Sequence, residues 1–130
     1  MTLQEIFAGC TAKPLLAEEP MAKHTSFRIG GPADLMAMPQ SEQELQQLLQ
    51  RAGEAKVPVT LIGNGSNLLV RDKGIRGLVI KLGNMLNDVA VDDCTLTFGS
   101  GVSLAAASRK AAELGLSGME FAVGIPGSIG

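Results

Sequence analysis

The segment VTLIGNGSNLLV, residues 59–70, decides the fold of this chain. Its apolar, partly β-branched beginning, Val59–Ile62, indicates a strand, and glycines, amides and a hydroxyl follow it at residues 63–67. Glycine permits positive φ angles and close ligand approach, and successive free N–H groups in such a turn form an anion-binding concavity. The segment predicts a phosphate-binding loop after a strand. A structural turn with left-handed asparagines would have the same composition.

This loop does not match the common nucleotide-binding motifs. The spacing of Gly63 and Gly65 departs from GxGxxG, no helix clearly follows, and the lysine of a P-loop is missing. A second glycine-rich segment, GIPGSIG, occupies residues 124–130. Two such loops in one small chain favour one elongated diphosphate ligand, although the second loop taken alone is equally explained by a sharp turn.

The residues around the first loop predict a strand–helix–strand unit. Ala33–Met38 is typical of a strand, and Ser41 with Glu44 predicts a capping box at the start of an amphipathic helix that ends near Lys56. The strand Val59–Ile62 completes the unit, which we expect to be right-handed. A further strand is predicted at residues 78–82.

The second half of the chain predicts a hairpin followed by a helix. Val89–Val91 and Thr95–Phe98 alternate with period two, as the strands of a hairpin do. Ser103 is a typical helix cap and Gly115 a typical helix end. The glycine at residue 101 precedes this helix, where free N–H groups bind anions, but a short loop-to-helix connection has the same sequence. The buried face of the helix is predicted to carry Leu104, Ala107, Ala111 and Leu114.

The predicted connector near residues 83–88 divides the chain. We predict an N-terminal arm at residues 1–24, a first subdomain at residues 25–84 and a second subdomain at residues 85–130. The whole is an α+β fold.

Composition excludes several function classes. The net charge of −2, the scattered basic residues and the absence of Trp and Tyr disfavour a nucleic-acid partner. Cys10 and Cys94 lie far apart in a chain with one histidine, so zinc binding is not predicted and the thiols are expected to be reduced. The sequence shows neither signal-peptide features nor the roughly 18 apolar residues that cross a bilayer. We therefore predict a cytoplasmic chain without membrane insertion.

Three single side chains were weighed as site residues. Arg28 beside a glycine pair is suited to a phosphate, but a solvated surface arginine is favoured. Glu120 lies in an apolar stretch, which favours a structural or cofactor-orienting partner over a surface charge. His24 is expected to be an exposed loop residue. Because no nucleophile–base set or carboxylate pair stands out, no catalytic residue is assigned.

Three motifs together resemble one family. HTSFRIGGPAD at residues 24–34, GNGSNLLV at residues 63–70 and GMEFAVGIPGSIG at residues 118–130 occur in this order. Over about residues 20–130 the chain is similar to the amino-terminal part of the UDP-N-acetylenolpyruvoylglucosamine reductase family. The resemblance implies a PCMH-type, vanillyl-alcohol-oxidase-like fold with FAD between two small α+β subdomains, truncated so that the second is incomplete.

In this family, NADPH reduces the flavin, which passes a hydride to the enolpyruvyl carbon of the UDP-sugar to give UDP-N-acetylmuramate, a peptidoglycan precursor. The family's catalytic Ser, Arg and Glu lie beyond the part that this chain covers, so the 130 residues alone are expected to be inactive. The alternative is a non-catalytic module of the same fold that binds a nucleotide or a partner chain. The cofactor-binding residues that we predict are Gly63, Asn64, Gly65, Ser66, Asn67, Leu68, Gly101, Gly124, Ile125, Pro126, Gly127, Ser128 and Gly130.

Overall fold

Three helices and six strands make up the computed structural model, which describes residues 1–130. The elements are α1 (Leu3–Ile6), β1 (Leu16–Pro20), β2 (Pro32–Ala37), α2 (Glu42–Ala55), β3 (Val59–Ile62), β4 (Ile75–Lys81), β5 (Val89–Asp92), β6 (Thr95–Phe98) and α3 (Leu104–Glu113). Single 3₁₀ turns lie at Met21–His24 and Glu120–Ala122. The predicted mixed α+β class is confirmed.

The chain divides into two compact units, Met1–Met85 and Leu86–Gly130. In the first unit, four strands form one sheet in the order β1-β2-β4-β3. Strand β1 is antiparallel to β2, whereas β2 and β3 are both parallel to β4. The predicted strand–helix–strand unit is present, with β4 placed between its two strands. The boundaries that we predicted for an arm and two subdomains stay a prediction.

Helix α2 begins where its sequence predicts, but its cap differs in detail. The Ser41 hydroxyl accepts from the Glu44 N–H at 3.2 Å, which is one half of the capping box. The Glu44 carboxylate accepts from the N–H groups of Gln40 at 2.7 Å and Ala12 at 3.0 Å. The predicted reciprocal bond to the cap residue's own N–H is therefore replaced by bonds that fasten the preceding loop and the N-terminal segment.

The sheet of the first unit buries apolar side chains on both faces. One cluster combines Phe7, which follows α1, and Leu48 of α2 with strand residues such as Ile80. The other combines Met21 with strand residues such as Val79. Because neighbouring strand residues point to opposite faces, Val79 and Ile80 serve different clusters. Full burial of one such side chain contributes about 1.5–3 kcal/mol. The sheet is therefore covered by apolar side chains on both of its faces.

Strand β4 begins three residues earlier than the predicted strand at residues 78–82, because a bulge extends it. The register with β2 shifts between Ala33 and Leu35. At the shift, Gly77 has φ +86°, and its N–H donates to Asp34 Oδ2 at 2.8 Å. Asp34 Oδ1 also pairs with Arg76 at 2.7 Å. The Asp34 carboxylate thus accepts from the backbone N–H that the interrupted strand pairing leaves free, and it also pairs with the Arg76 guanidinium.

In the second unit, β5 and β6 form the predicted antiparallel hairpin. The Ser103 hydroxyl caps α3 by accepting from the Ala106 N–H at 3.1 Å, and Gly115 has φ +70° just after the helix. Ala107 and Ala111 are buried as predicted, but Leu114 is 42% exposed. Leu114 is the residue at the helix end, where it no longer follows the helical face. No helix of the structure is both long and apolar enough to cross a membrane.

Candidate phosphate-binding site

The loop at residues 63–67 lies where two parallel strands of the first unit end together. Ile62, the last residue of β3, is paired in register with Lys81, the last residue of β4. None of the N–H groups of residues 63–67 donates a hydrogen bond within the chain. A run of unused N–H groups in one turn is the feature that binds an anion such as a phosphate. The geometry therefore fits the predicted phosphate-binding loop.

Gly65 fixes this loop against the turn that follows β1. Its φ is +68°, and a Cβ atom at this position would collide with the carbonyl oxygen of His24. The Gly65 carbonyl oxygen accepts from the Ser26 N–H at 3.1 Å. Only glycine suits both the positive φ and this close approach. The loop is therefore held by main-chain contact with residues 24–26, which belong to the first motif of the sequence analysis.

His24 is not the exposed loop residue that we expected, because its side chain is only 11% exposed. Its Nε2 lies 2.9 Å from Glu19 Oε1, and its Nδ1 lies 3.0 Å from Lys81 Nζ. A lysine ammonium can only donate hydrogen bonds. Nδ1 is therefore the acceptor, and a neutral ring carries its proton on Nε2 and donates it to Glu19. This network could not be predicted from the sequence, because Lys81 lies 57 residues from His24 along the chain.

The turn at residues 25–29 carries Arg28, which the sequence analysis considered as a phosphate-binding residue. The Thr25 hydroxyl donates to the Ile29 carbonyl oxygen at 3.1 Å, and the Arg28 N–H donates to the Thr25 carbonyl oxygen at 3.1 Å. This segment is a turn rather than a strand. Arg28 has φ +55° and an exposed side chain outside both ion pairs of the chain. Its surroundings match the solvated arginine that we favoured.

The glycine-rich segment at residues 124–130 lies in the second unit and is paired with residues 99–104. The Gly127 carbonyl oxygen accepts from the Leu104 N–H at 3.0 Å, and the Gly130 N–H donates to Ser100 O at 2.8 Å. The N–H groups of Gly127 and Ser128 form no hydrogen bond within the chain. The Gly124 N–H also donates no hydrogen bond within the chain, so three donors of this loop are free.

Two further predicted positions have local partners within the second unit. The Gly101 N–H donates to Leu86 O at 2.8 Å, so this donor is already used. Glu120 is exposed, and its carboxylate accepts from the Gly118 N–H at 2.9 Å. Hydrogen bonds from its own N–H and from that of Gly118 lower the pKa of Glu120. The sequence favours a structural or cofactor-orienting partner over a surface charge, but the exposed Glu120 carboxylate bonds only within its own turn and is a surface charge.

Comparison with known proteins identifies a family for most of the chain. Residues 33–130 match a family model described as an FAD binding domain. UDP-N-acetylenolpyruvoylglucosamine reductase of Heliobacterium modesticaldum is 51% identical over 115 residues, which are 88% of this chain and 37% of that protein. The reductase of Agathobacter rectalis is 53% identical over 128 residues, covering 89% of this chain and 40% of that protein.

A solved structure agrees with these sequence matches. The crystal structure of UDP-N-acetylenolpyruvylglucosamine reductase from Thermus caldophilus has a TM-score of 0.64 and 33% identity, and the match covers 90% of this chain and 39% of that one. The chain thus spans about two fifths of the length of the relatives it matches. Its fold is that of the part of the solved structure that it matches.

Proposed function

Because the chain belongs to the FAD-binding domain family, with FAD as its cofactor, we propose that it is the FAD-binding part of a UDP-N-acetylenolpyruvoylglucosamine reductase. The observation that carries the proposal is the set of unused N–H groups at residues 63–67, held in place by the contact of Gly65 with His24. Main-chain contacts within the chain hold this arrangement, so little conformational entropy is lost when a phosphate binds. The similarity to the reductases supports the same assignment.

In this proposal the loop at residues 63–67 binds the pyrophosphate of FAD, with Leu68 following it at the flavin site. The loop at residues 124–130 binds FAD through the free donors of Gly127 and Ser128. Gly101 contributes only close approach of its main chain, because its N–H already donates to Leu86. The proposed residues are Gly63, Asn64, Gly65, Ser66, Asn67, Leu68, Gly101, Gly124, Ile125, Pro126, Gly127, Ser128 and Gly130.

The chemistry divides between the cofactor and the chain. Bound FAD supplies two-electron redox chemistry, while the protein supplies binding, orientation and electrostatics. The N–H dipoles of residues 63–67 face the negative charge of the phosphates and replace the water that solvates them. The rigid contact between Gly65 and residues 24–26 keeps these donors at fixed positions. The chain therefore acts on the cofactor by anchoring its diphosphate.

The proposal extends to the substrates of the whole protein. NADPH is the reductant and UDP-N-acetylenolpyruvoylglucosamine the acceptor, in the synthesis of a peptidoglycan precursor, with no role for nucleic acid or membrane insertion. Both cysteines, Cys10 and Cys94, are free thiols. Free thiols accord with the reducing cytoplasm, where we place the protein.

Equilibrium binding of FAD to the purified chain tests the proposal. FAD fluorescence is titrated with protein, and riboflavin, which lacks the pyrophosphate, is titrated in parallel. Because residues 63–67 recognise phosphate oxygens, FAD should bind more tightly than riboflavin, and inorganic pyrophosphate should compete with FAD. Equal affinities for FAD and riboflavin would refute the role of the loop. Absence of any FAD binding would instead favour the non-catalytic module.

A further inference from the structure

We propose that Lys81 supplies the side-chain cation that contacts the FAD pyrophosphate, and that His24 is the positioning residue that holds it there. This inference rests on the proposed function and deepens it by adding a charge to a site built from main-chain donors. Neither residue was predicted as part of the site. Both lie in the first unit, as does the loop at residues 63–67.

The position of Lys81 follows from strand register. Lys81 ends β4 directly beside Ile62, and the loop at residues 63–67 begins at the next residue. The Lys81 ammonium lies 3.0 Å from the ring of His24, and the carbonyl oxygen of His24 lies against Gly65. The loop is thus in contact with a residue that itself holds the ammonium. A cation at this place adds Coulomb attraction to the donors that already face an anion.

Lys81 has no carboxylate partner within the chain. The two ion pairs of the structure join His24 to Glu19 and Arg76 to Asp34, and Lys81 belongs to neither. Its one hydrogen bond goes to His24 Nδ1, so the ammonium has further N–H donors to offer. Lys81 is also partly buried. A partly buried cation without a carboxylate gains most from an anionic ligand.

His24 determines the direction of the ammonium through its tautomer. With Glu19 accepting from Nε2–H, the lone pair of Nδ1 faces Lys81 and can only accept. The Glu19 carboxylate therefore acts from the far edge of the ring and does not neutralise Lys81 by direct contact. Lys23, in the same 3₁₀ turn as His24, is exposed and has no such support. The network orients one lysine and leaves its charge available.

The first test uses the unaltered chain and inorganic pyrophosphate as the probe. Lysine side-chain signals are followed by NMR during the titration, and Lys81 is assigned by the signal that disappears in Lys81→Arg. We expect the Lys81 signals to shift together with the amides of residues 63–67. If those amides shift and Lys81 does not, the inference about Lys81 is wrong while the proposed function stands. If pyrophosphate moves neither set and FAD does not bind, both fail.

The second test compares variants by their affinity for FAD and riboflavin. Lys81→Met should weaken FAD binding roughly tenfold to a hundredfold, as loss of one charged hydrogen bond predicts, without weakening riboflavin binding. It should also flatten the dependence of FAD affinity on salt. Lys81→Arg should retain most of the affinity because the charge remains. The matched control is Lys23→Met, which removes an exposed lysine of the neighbouring turn and should leave both affinities unchanged.

The role of His24 requires a rescue by the conservative variant. In His24→Gln the amide can accept from Lys81 and donate to Glu19, so the preference for FAD over riboflavin should survive. In His24→Leu both bonds are lost, and that preference should fall toward the value of Lys81→Met. An equal loss of FAD and riboflavin affinity in His24→Leu would show that His24 supports only the local fold and would overturn its positioning role.

Discussion

Gly65 is the residue at which both the shape of the loop and the proposed ligand binding depend on the absence of a side chain. A side chain there would meet the His24 carbonyl oxygen in a backbone conformation of φ +68°, which side chains rarely adopt. We expect Gly65→Val to displace the loop and lower FAD affinity by tenfold or more, on the order of 1.4 kcal/mol. Fluorescence titration measures this. The control is Gly53→Val on the exposed side of α2, where a Cβ meets nothing within 4 Å. Unchanged affinity in Gly65→Val would remove the loop from the site.

Glu44 predicts an acid-sensitive component of stability. Hydrogen bonds from the N–H groups of Gln40 and Ala12 lower the pKa of Glu44 from its ordinary value of 4.5. A lowered folded-state pKa stabilises the fold above the ordinary value, and this contribution is lost as the pH falls through the folded-state pKa. Glu44→Gln should therefore lower the urea midpoint at neutral pH and approach the parent at about pH 3.

Exposed Glu42, in the same first turn of α2, provides the control for this prediction. No hydrogen bond involves its carboxylate, so Glu42→Gln should change the urea midpoint less than Glu44→Gln at neutral pH. A constant difference between Glu44→Gln and the parent at both pH values would show that the ionised carboxylate does not stabilise the fold.

Residue roles that depend on neighbours in the sequence were predicted better than roles that depend on residues far apart in the chain. Ser41, Ser103 and Gly115 were recognised because caps and helix ends depend on residues a few positions away. His24 was misjudged because its partners, Glu19 and Lys81, belong to different strands that only the sheet brings together. The free N–H groups at residues 63–67 were expected from composition, but their main-chain support at His24 was not.

At the scale of elements, α2 is the part of the first unit whose packing is most directly testable. Leu48 is fully buried in the cluster against the sheet, whereas its neighbour Leu49 is 41% exposed. Leu48→Ala should destabilise the fold by about 2–5 kcal/mol through lost burial and the resulting cavity. Leu49→Ala should cost much less, because Leu49 is 41% exposed and belongs to neither buried cluster. Urea unfolding of both variants gives the comparison, and equal losses would contradict the assigned buried face.

The bounds of helices and strands could be predicted where they depend on local sequence and not where they depend on distant contacts. An apolar, partly β-branched run identified β3, period two identified the hairpin of β5 and β6, and the apolar spacing identified α2 and α3. The start of β4 was missed because Gly77 has the character of a strand breaker, whereas the structure uses it in a bulge closed by Asp34. The position of β4 between β2 and β3 could not be predicted either. The hydrophobic pattern of a segment indicates that it is a strand, but it does not indicate which strands pair with it.

At the scale of the whole molecule, the two units differ in how much core they contain. Both apolar clusters lie in the first unit, whereas β5 is exposed throughout and α3 buries mainly alanines. Because exchange protection follows buried contacts and shielded backbone bonds, amides at residues 25–82 should exchange more slowly than those at residues 89–130. Hydrogen–deuterium exchange read by mass spectrometry checks this order. Equal, strong protection in both segments would contradict it.

Polypeptide 1–130 alone is expected to show no substrate-dependent reductase activity. Acceleration of a chemical step requires groups placed for the transition state, and the family resemblance assigns the proton-donating Ser and its Arg and Glu helpers to sequence that these residues do not include. The match with two fifths of the relatives' length agrees with this assignment.

The measurement is NADPH oxidation by the chain with FAD, in the presence and absence of UDP-N-acetylenolpyruvoylglucosamine, with an intact relative as the positive control. Any oxidation should be slow and independent of the UDP-sugar, because the resemblance assigns the proton donor to sequence outside residues 1–130, and reduced flavin without substrate would react with oxygen instead. Turnover that depends on the UDP-sugar and approaches the rate of the intact relative would mean that the catalytic groups lie among these 130 residues after all.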